Sequence, residues 1–136
     1  MLSLTTRELK SDGTARFSGR GKLAPGFTGQ YEVTAGSTSD PLQIHPLPTG
    51  KEQITVTAIP NKELDINGKP ITSGSSGTAN VQHTTSPDAA VEAGNAIWIN
   101  WAEGAVSSDT TDRLLGPITA LRFTATTQNA IFEVVI

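Results

Sequence analysis

The residues best able to carry chemistry are two imidazoles, His45 and His83. Nucleophilic catalysis requires a base within hydrogen-bond reach of its nucleophile. His45 lies in the proline-interrupted run Ile44-His45-Pro46, and His83 follows Val81 at strand spacing, which puts both on one face. That placement suits a partly buried strand histidine. The chain has no Gly-x-Ser-x-Gly run, so a hydrolase triad has no sequence support. The two histidines stand far apart and the chain has no cysteine, which leaves no zinc spacing. Asp109-Thr-Thr-Asp112 could offer oxygen ligands to calcium. Aspartate and threonine also cap turns through their own backbone, and we take the turn as the expectation. A glycosidase needs two carboxylates held across a cleft, and the scattered acidic residues cannot be paired by spacing. The expectation is a protein that is not an enzyme and needs no metal and no cofactor.

Two other features suit binding. The first is the run Ala96-Ile97-Trp98-Ile99-Asn100-Trp101. In a strand, Trp98 and Trp101 face opposite sides. Ile97, Ile99 and Trp101 then form the expected core face and leave Trp98 on the other side, where it is covered by a loop or a second buried surface, or else free to stack on a sugar or be buried against a protein partner. The second is a charge asymmetry. Residues 1–22 hold five basic residues (Arg7, Lys10, Arg16, Arg20 and Lys22) against two acidic ones. The remainder holds five basic and eleven acidic residues. A basic arm before an acidic body suggests an acidic partner surface, with Arg7, Arg16, Arg20 and Lys22 as contacts. Nucleic acid is not the expected partner, because the body is acidic and no reader motif is present. Gly19-Arg-Gly21 is too short for a phosphate-binding glycine fingerprint.

The elements that would carry these residues are strands. The chain of 136 residues is expected to form a single core without metal or disulfide help, divided into an arm over 1–22 and a domain over 23–136. Its 19 threonines favour strands, and 13 glycines and 8 prolines punctuate turns. No apolar run reaches the ~18 residues that span a membrane, and Met1-Leu2-Ser3-Leu4 does not open a leader, so we expect a soluble product with no membrane partner. Strand alternation is clear at Gln30–Ala35, Gln53–Ile59 and Thr78–Thr84. Leu42–Pro48 contains prolines and reads as an edge segment or a loop. Asn67-Gly68 suggests a type I′ hairpin turn, Ser73–Gly77 a flexible loop, and Ala89–Ala93 one or two helical turns. Ile118–Thr127 and Ala130–Ile136 read as two strands of a closing hairpin about Gln128-Asn129, with the fold complete at Ile136. The apolar phases place Ile54, Val56, Leu121, Phe123, Phe132 and Val134 in the core. Seven or eight short strands predict an all-β antiparallel β-sandwich, jelly-roll-like, with an extended N-terminal arm.

The C-terminal half also carries a resemblance. Thr78-Ala-Asn-Val-Gln-His83, the Ser86-Pro87-Asp88 turn, the Trp98/Trp101 strand and Gly116-Pro-Ile-Thr-Ala-Leu-Arg-Phe-Thr-Ala125 resemble small virion proteins of tailed bacteriophages. The nearest type is the capsid decoration or cement protein. The resemblance implies a non-enzymatic structural protein of the virion, made in the host cytoplasm, that bridges subunits of a major capsid protein and is a homo-oligomer. A tail or fibre-attachment protein shares this strand grammar. A carbohydrate-binding β-sandwich module, with Trp98 as platform beside Tyr31 and Phe27, is the alternative from another class.

Overall fold

The computed structural model describes residues 5–9, 15–17, 28–44, 53–115 and 118–136. In chain order these form β1 (Thr5–Leu9), β2 (Ala15–Phe17), β3 (Thr28–Val33), β4 (Ser37–Thr38), β5 (Leu42–Gln43), β6 (Gln53–Pro60), β7 (Lys62–Leu64) and β8 (Pro70–Thr72). There follow β9 (Thr78–Thr84), the short helix α1 (Asp88–Glu92), β10 (Ile99–Asn100), β11 (Thr110–Leu115), β12 (Ala120–Thr126) and β13 (Ala130–Val135). The protein is all-β and antiparallel, as its alternating sequence predicts. A six-stranded sheet runs β11-β6-β13-β3-β1-β2, and a five-stranded sheet runs β10-β9-β12-β4, with β5 also pairing to β12. The hairpin β7-β8 forms a third, two-stranded sheet.

The period-2 pattern decides which side chains enter the space between the two large sheets. On β6, Ile54, Val56 and Ala58 are buried while Thr55, Thr57 and Ile59 are half-buried. On β12 the buried core set is Leu121, Phe123 and Ala125, and on β13 it is Ala130, Phe132 and Val134. All six residues expected in the core are there. The rings of Phe123 and Phe132 stack across the interface with centroids 4.4 Å apart. Tyr31 packs against Phe123 at 5.8 Å, so one aromatic cluster joins the sheets. Ser39 is buried between β4 and β5, where the edge pairing is interrupted. Its amide donates to the Phe123 carbonyl and its hydroxyl accepts from the Phe123 amide, which keeps β12 satisfied across the break.

Three turns differ from the sequence expectation. The first is the C-terminal connection. Strands β12 and β13 do not form a hairpin, because they belong to opposite sheets. Apolar parity is the same in both arrangements, since either puts Ala125 and Ala130 toward the core. The connecting residues decide the matter. Thr127 takes a left-handed conformation with φ 69°, and Asn129 is held by other parts of the chain. Its Oδ1 accepts from the Ala35 amide at 2.8 Å, its Nδ2 donates to Glu63, and its carbonyl accepts from the Lys62 amide. The chain therefore arches from one sheet to the other.

The second is the Asn67-Gly68 turn. A type I′ turn needs positive φ at both central residues, but here Gly68 is left-handed and Asn67 is not. Asp65 organises the loop instead. Its carboxylate accepts from the amides of Asn67 and Lys69, and its backbone pairs with Gly68 and Lys69. The third is the small-residue loop 73–77, which is pinned. The Gly77 amide donates to Asn61 Oδ1 at 2.7 Å, and a Cβ on Gly77 would lie 2.7 Å from the Gln128 side chain. Glycine is required there by close approach, and its flexibility is not what the loop uses.

The described part of the N-terminal segment is built into the six-stranded sheet. Strand β1 pairs with β3 from Thr5↔Glu32 to Glu8↔Gly29, and β2 pairs with β1 at its outer edge. The short strand expected within the arm at Ala15–Phe17 is thus present.

Candidate interaction face

The outer face of the five-stranded sheet gathers polar side chains in rows because facing residues on neighbouring strands share a side. Asn100 on β10 faces Gln82 on β9, which faces Arg122 on β12. This register makes a continuous network. Asn80 and Gln82 both donate to Asn100 Oδ1, at 3.0 and 2.9 Å. Arg122 Nε donates to Gln82 Oε1 at 2.6 Å. Further along, Thr38 bonds Thr124 and Thr78 bonds Thr126 through their hydroxyls.

Trp98 closes the row. The guanidinium carbon of Arg122 lies 4.5 Å from the Trp98 ring centroid, a cation–π contact. Partial burial pulls the Arg122 pKa down, and the group stays charged at neutral pH. The segment that delivers Trp98 is set by α1 and the turn before it. Gly94 and Asn95 donate to the carbonyls of Val91 and Ala90, a Schellman ending that closes the helix after one turn. The Ile97 amide then donates to Ser86 Oγ at 3.0 Å. Ser86 is itself tied down, its amide donating to Thr84 and its carbonyl accepting from Thr119.

The expected Ile97-Ile99-Trp101 core face is only partly formed. Trp101 is buried at 2% exposure, and its indole N–H donates to the Gly104 carbonyl. Ile97 and Ile99 are 75% and 54% exposed. The physical reason is that pairing shrinks to two residues, Ile99 and Asn100, at the edge of the sheet. A strand that leaves its sheet before Ile99 cannot press Ile97 into the interior. Trp98 is half-buried, and the two isoleucines flank it in the chain as exposed apolar side chains.

The basic candidates are elsewhere. Arg7 sits on β1 opposite Gln30, and Arg16 on β2 opposite Glu8, both in the other sheet from Arg122. Arg20 and Lys22 lie outside the described residues, as do His45 and Phe27. Tyr31 is fully buried and cannot serve a surface. His83 takes the inward phase of β9, opposite Leu121 and Ile99, and burial lowers its pKa. The turn expected over Asp109–Asp112 is not formed as such, because Thr110, Thr111 and Asp112 belong to β11 and pair with β6; Asp112 Oδ1 accepts from the adjacent Arg113 amide. Among the described residues, no three His, Asp or Glu side chains group to hold a metal, and no helix is long and apolar enough to cross a membrane.

Sequence reasoning missed Arg122, Gln82 and Asn100. Each stands in the polar phase of a strand, where a solvated side chain is ordinary, and only the register brings them together beside Trp98. No family model, curated protein or solved structure matches this chain.

Proposed function

We propose that the protein is a non-enzymatic structural component of a tailed-bacteriophage virion. In this reading it is a jelly-roll-like capsid decoration or cement protein that bridges subunits of the major capsid protein. The observation that carries the proposal is the pairing of a tightly packed β-sandwich with apolar side chains left outside it. Ile97 and Ile99 flank the half-buried Trp98, and Ile66 at the β7-β8 tip is 98% exposed. Trp98 carries the Arg122 guanidinium against its ring, and tryptophan and arginine are residue types that dominate protein interfaces. A rigid domain with separated sticky points gains from avidity, because a second contact by a tethered domain is intramolecular. Arg7, Arg16, Arg20 and Lys22 would add charge attraction to an acidic shell, and homo-oligomerisation on the shell would multiply the contacts.

Purified protein mixed with particles that lack it should co-sediment with them and raise their resistance to heat. Particles that neither bind the protein nor gain stability would refute the role. The carbohydrate-binding alternative draws on the amide row beside Trp98. It loses Tyr31 to the core, and the row's amides already bond one another. A tail or fibre-attachment position would show as binding to tails in the same sedimentation experiment.

A further inference from the structure

The tip of the β7-β8 hairpin holds the chain's one Asn-Gly pair, Asn67-Gly68. Such a pair is among the least stable settings for an asparagine. The amide nitrogen that follows can attack the side-chain carbonyl carbon, and glycine has no Cβ to crowd the approach. As Gly68 N bonds to Asn67 Cγ, the amide proton passes to a base. The Cγ–Nδ2 bond then breaks, and ammonia leaves with a proton returned by the base or by water. Water opens the resulting cyclic imide at either carbonyl, giving aspartate or isoaspartate. The net change is amide plus water to acid plus ammonia, with no oxidant or reductant. Asn67 is exposed, so water reaches it.

The fold opposes this reaction through Asp65. The Gly68 amide donates to the Asp65 carbonyl at 2.9 Å, and the Asp65 amide donates to the Lys69 carbonyl at 2.9 Å. The Asp65 carboxylate accepts from the Asn67 and Lys69 amides, each at 2.8 Å. With Gly68 at φ 79° and Asn67 not left-handed, this is a type I turn closed by a glycine bulge. That turn holds ψ of Asn67 at about 0°, which rotates the Gly68 nitrogen away from Asn67 Cβ and out of reach of Cγ. Ring closure would swing ψ and carry the Gly68 and Lys69 amides off Asp65. The carboxylate seated on the two flanking amides also disfavours an amide anion at Gly68. We propose that Asn67 is a deamidation site whose rate is set by Asp65, which preserves the amide while the turn is closed and exposes it to attack when the turn opens. Conversion places a new negative charge beside Ile66, which is 98% exposed at the same tip. A converted molecule thus presents a charged tip where a fresh one presents an apolar tip.

The test incubates the full-length protein at mildly alkaline pH, folded in buffer or unfolded in urea. Peptide mapping by mass spectrometry, with an isoaspartate assay, follows residue 67. In urea, Asn67 should convert faster than Asn61, Asn80, Asn95, Asn100 and Asn129, none of which precedes a glycine. Folded wild type should convert at least about tenfold more slowly than the unfolded chain, the scale set by the hydrogen bonds that must break. Folded Asp65→Ala should recover most of the unfolded rate. Asp65→Asn keeps a carbonyl acceptor and should stay close to wild type. Folded wild type converting as fast as the unfolded chain, or folded Asp65→Ala converting as slowly as wild type, would overturn the proposal. An Asn67 no faster in urea than the other asparagines would do the same. If Asp65→Ala does not fold, as judged from the Trp101 environment, Asp65→Ser decides. Its hydroxyl holds such a turn more weakly, so it should convert faster than Asp65→Asn, and equal rates would refute the role of Asp65.

Discussion

Trp101 and Trp98 stand three residues apart and meet different fates. Trp101 enters the core, where the Gly104 carbonyl satisfies its indole N–H. Trp98 stays at the surface under a guanidinium that no described carboxylate balances. The interior around Trp101 is apolar and closed, and joins strands distant in sequence. The exterior around Trp98 is polar and internally hydrogen-bonded. The contrast shows where this chain invests its stability and where it leaves surface for others. Changes inside should unfold the protein, and changes outside should leave it folded but alter what it holds.

The largest effect belongs to the interior. Phe123→Ala removes the ring that stacks on Phe132 and touches Tyr31, and should cost about 3–5 kcal/mol in denaturant unfolding. A loss below about 1 kcal/mol would mean that the two sheets are not joined through this cluster. Next comes the arch between the sheets. Asn129→Ala removes the acceptor of the Ala35 amide and the donor to Glu63, and should cost about 1–2 kcal/mol. An unchanged midpoint would show that β12 and β13 need no such tie. Trp98→Ala should cost about 0.5–1 kcal/mol, the scale of one exposed cation–π contact. The same variant should lose most of its particle binding. A Trp98 variant as unstable as Phe123→Ala would erase the distinction between the two regions.

The same contrast explains what the sequence discloses. Strands and their inward faces were legible, because Ile54, Val56, Phe123 and Phe132 occupy one phase of a two-residue period whichever neighbour each strand takes. Partners were not legible. A hairpin and an arch place Ala125 and Ala130 on the core side alike, so parity could not tell that β12 and β13 belong to different sheets. The turn at Asn67-Gly68 misled for a related reason: Asp65, two residues earlier, holds the loop through its carboxylate. Trp98 was legible as the outward tryptophan. Arg122 was not, since its role depends on facing Gln82 across a strand pair separated by forty residues of chain. Ile97 was assigned to the core because strand alternation was carried beyond the two residues that pair, and Ile99, which does pair, stays exposed at the edge of the sheet.

The smallest expected effect lies at the border between the regions, at His83. The imidazole takes the inward phase of β9, and its Nδ1 is buried with no hydrogen-bond partner. Burial disfavours the charged ring, so the folded-state pKa lies below the ordinary 6.5 while the unfolded chain keeps that value. Between the two values the unfolded state binds more protons, and stability therefore rises with pH. The contribution is fully present above 6.5 and is lost as pH falls through the folded value. His83→Gln should flatten this part of the profile, and comparing its slope with the wild type's cancels the carboxylates common to both. Urea unfolding from about pH 7 to about pH 5 measures the difference. Superimposable slopes would mean that the ring reaches water freely, and the interior would then end at Val81, one inward position before His83.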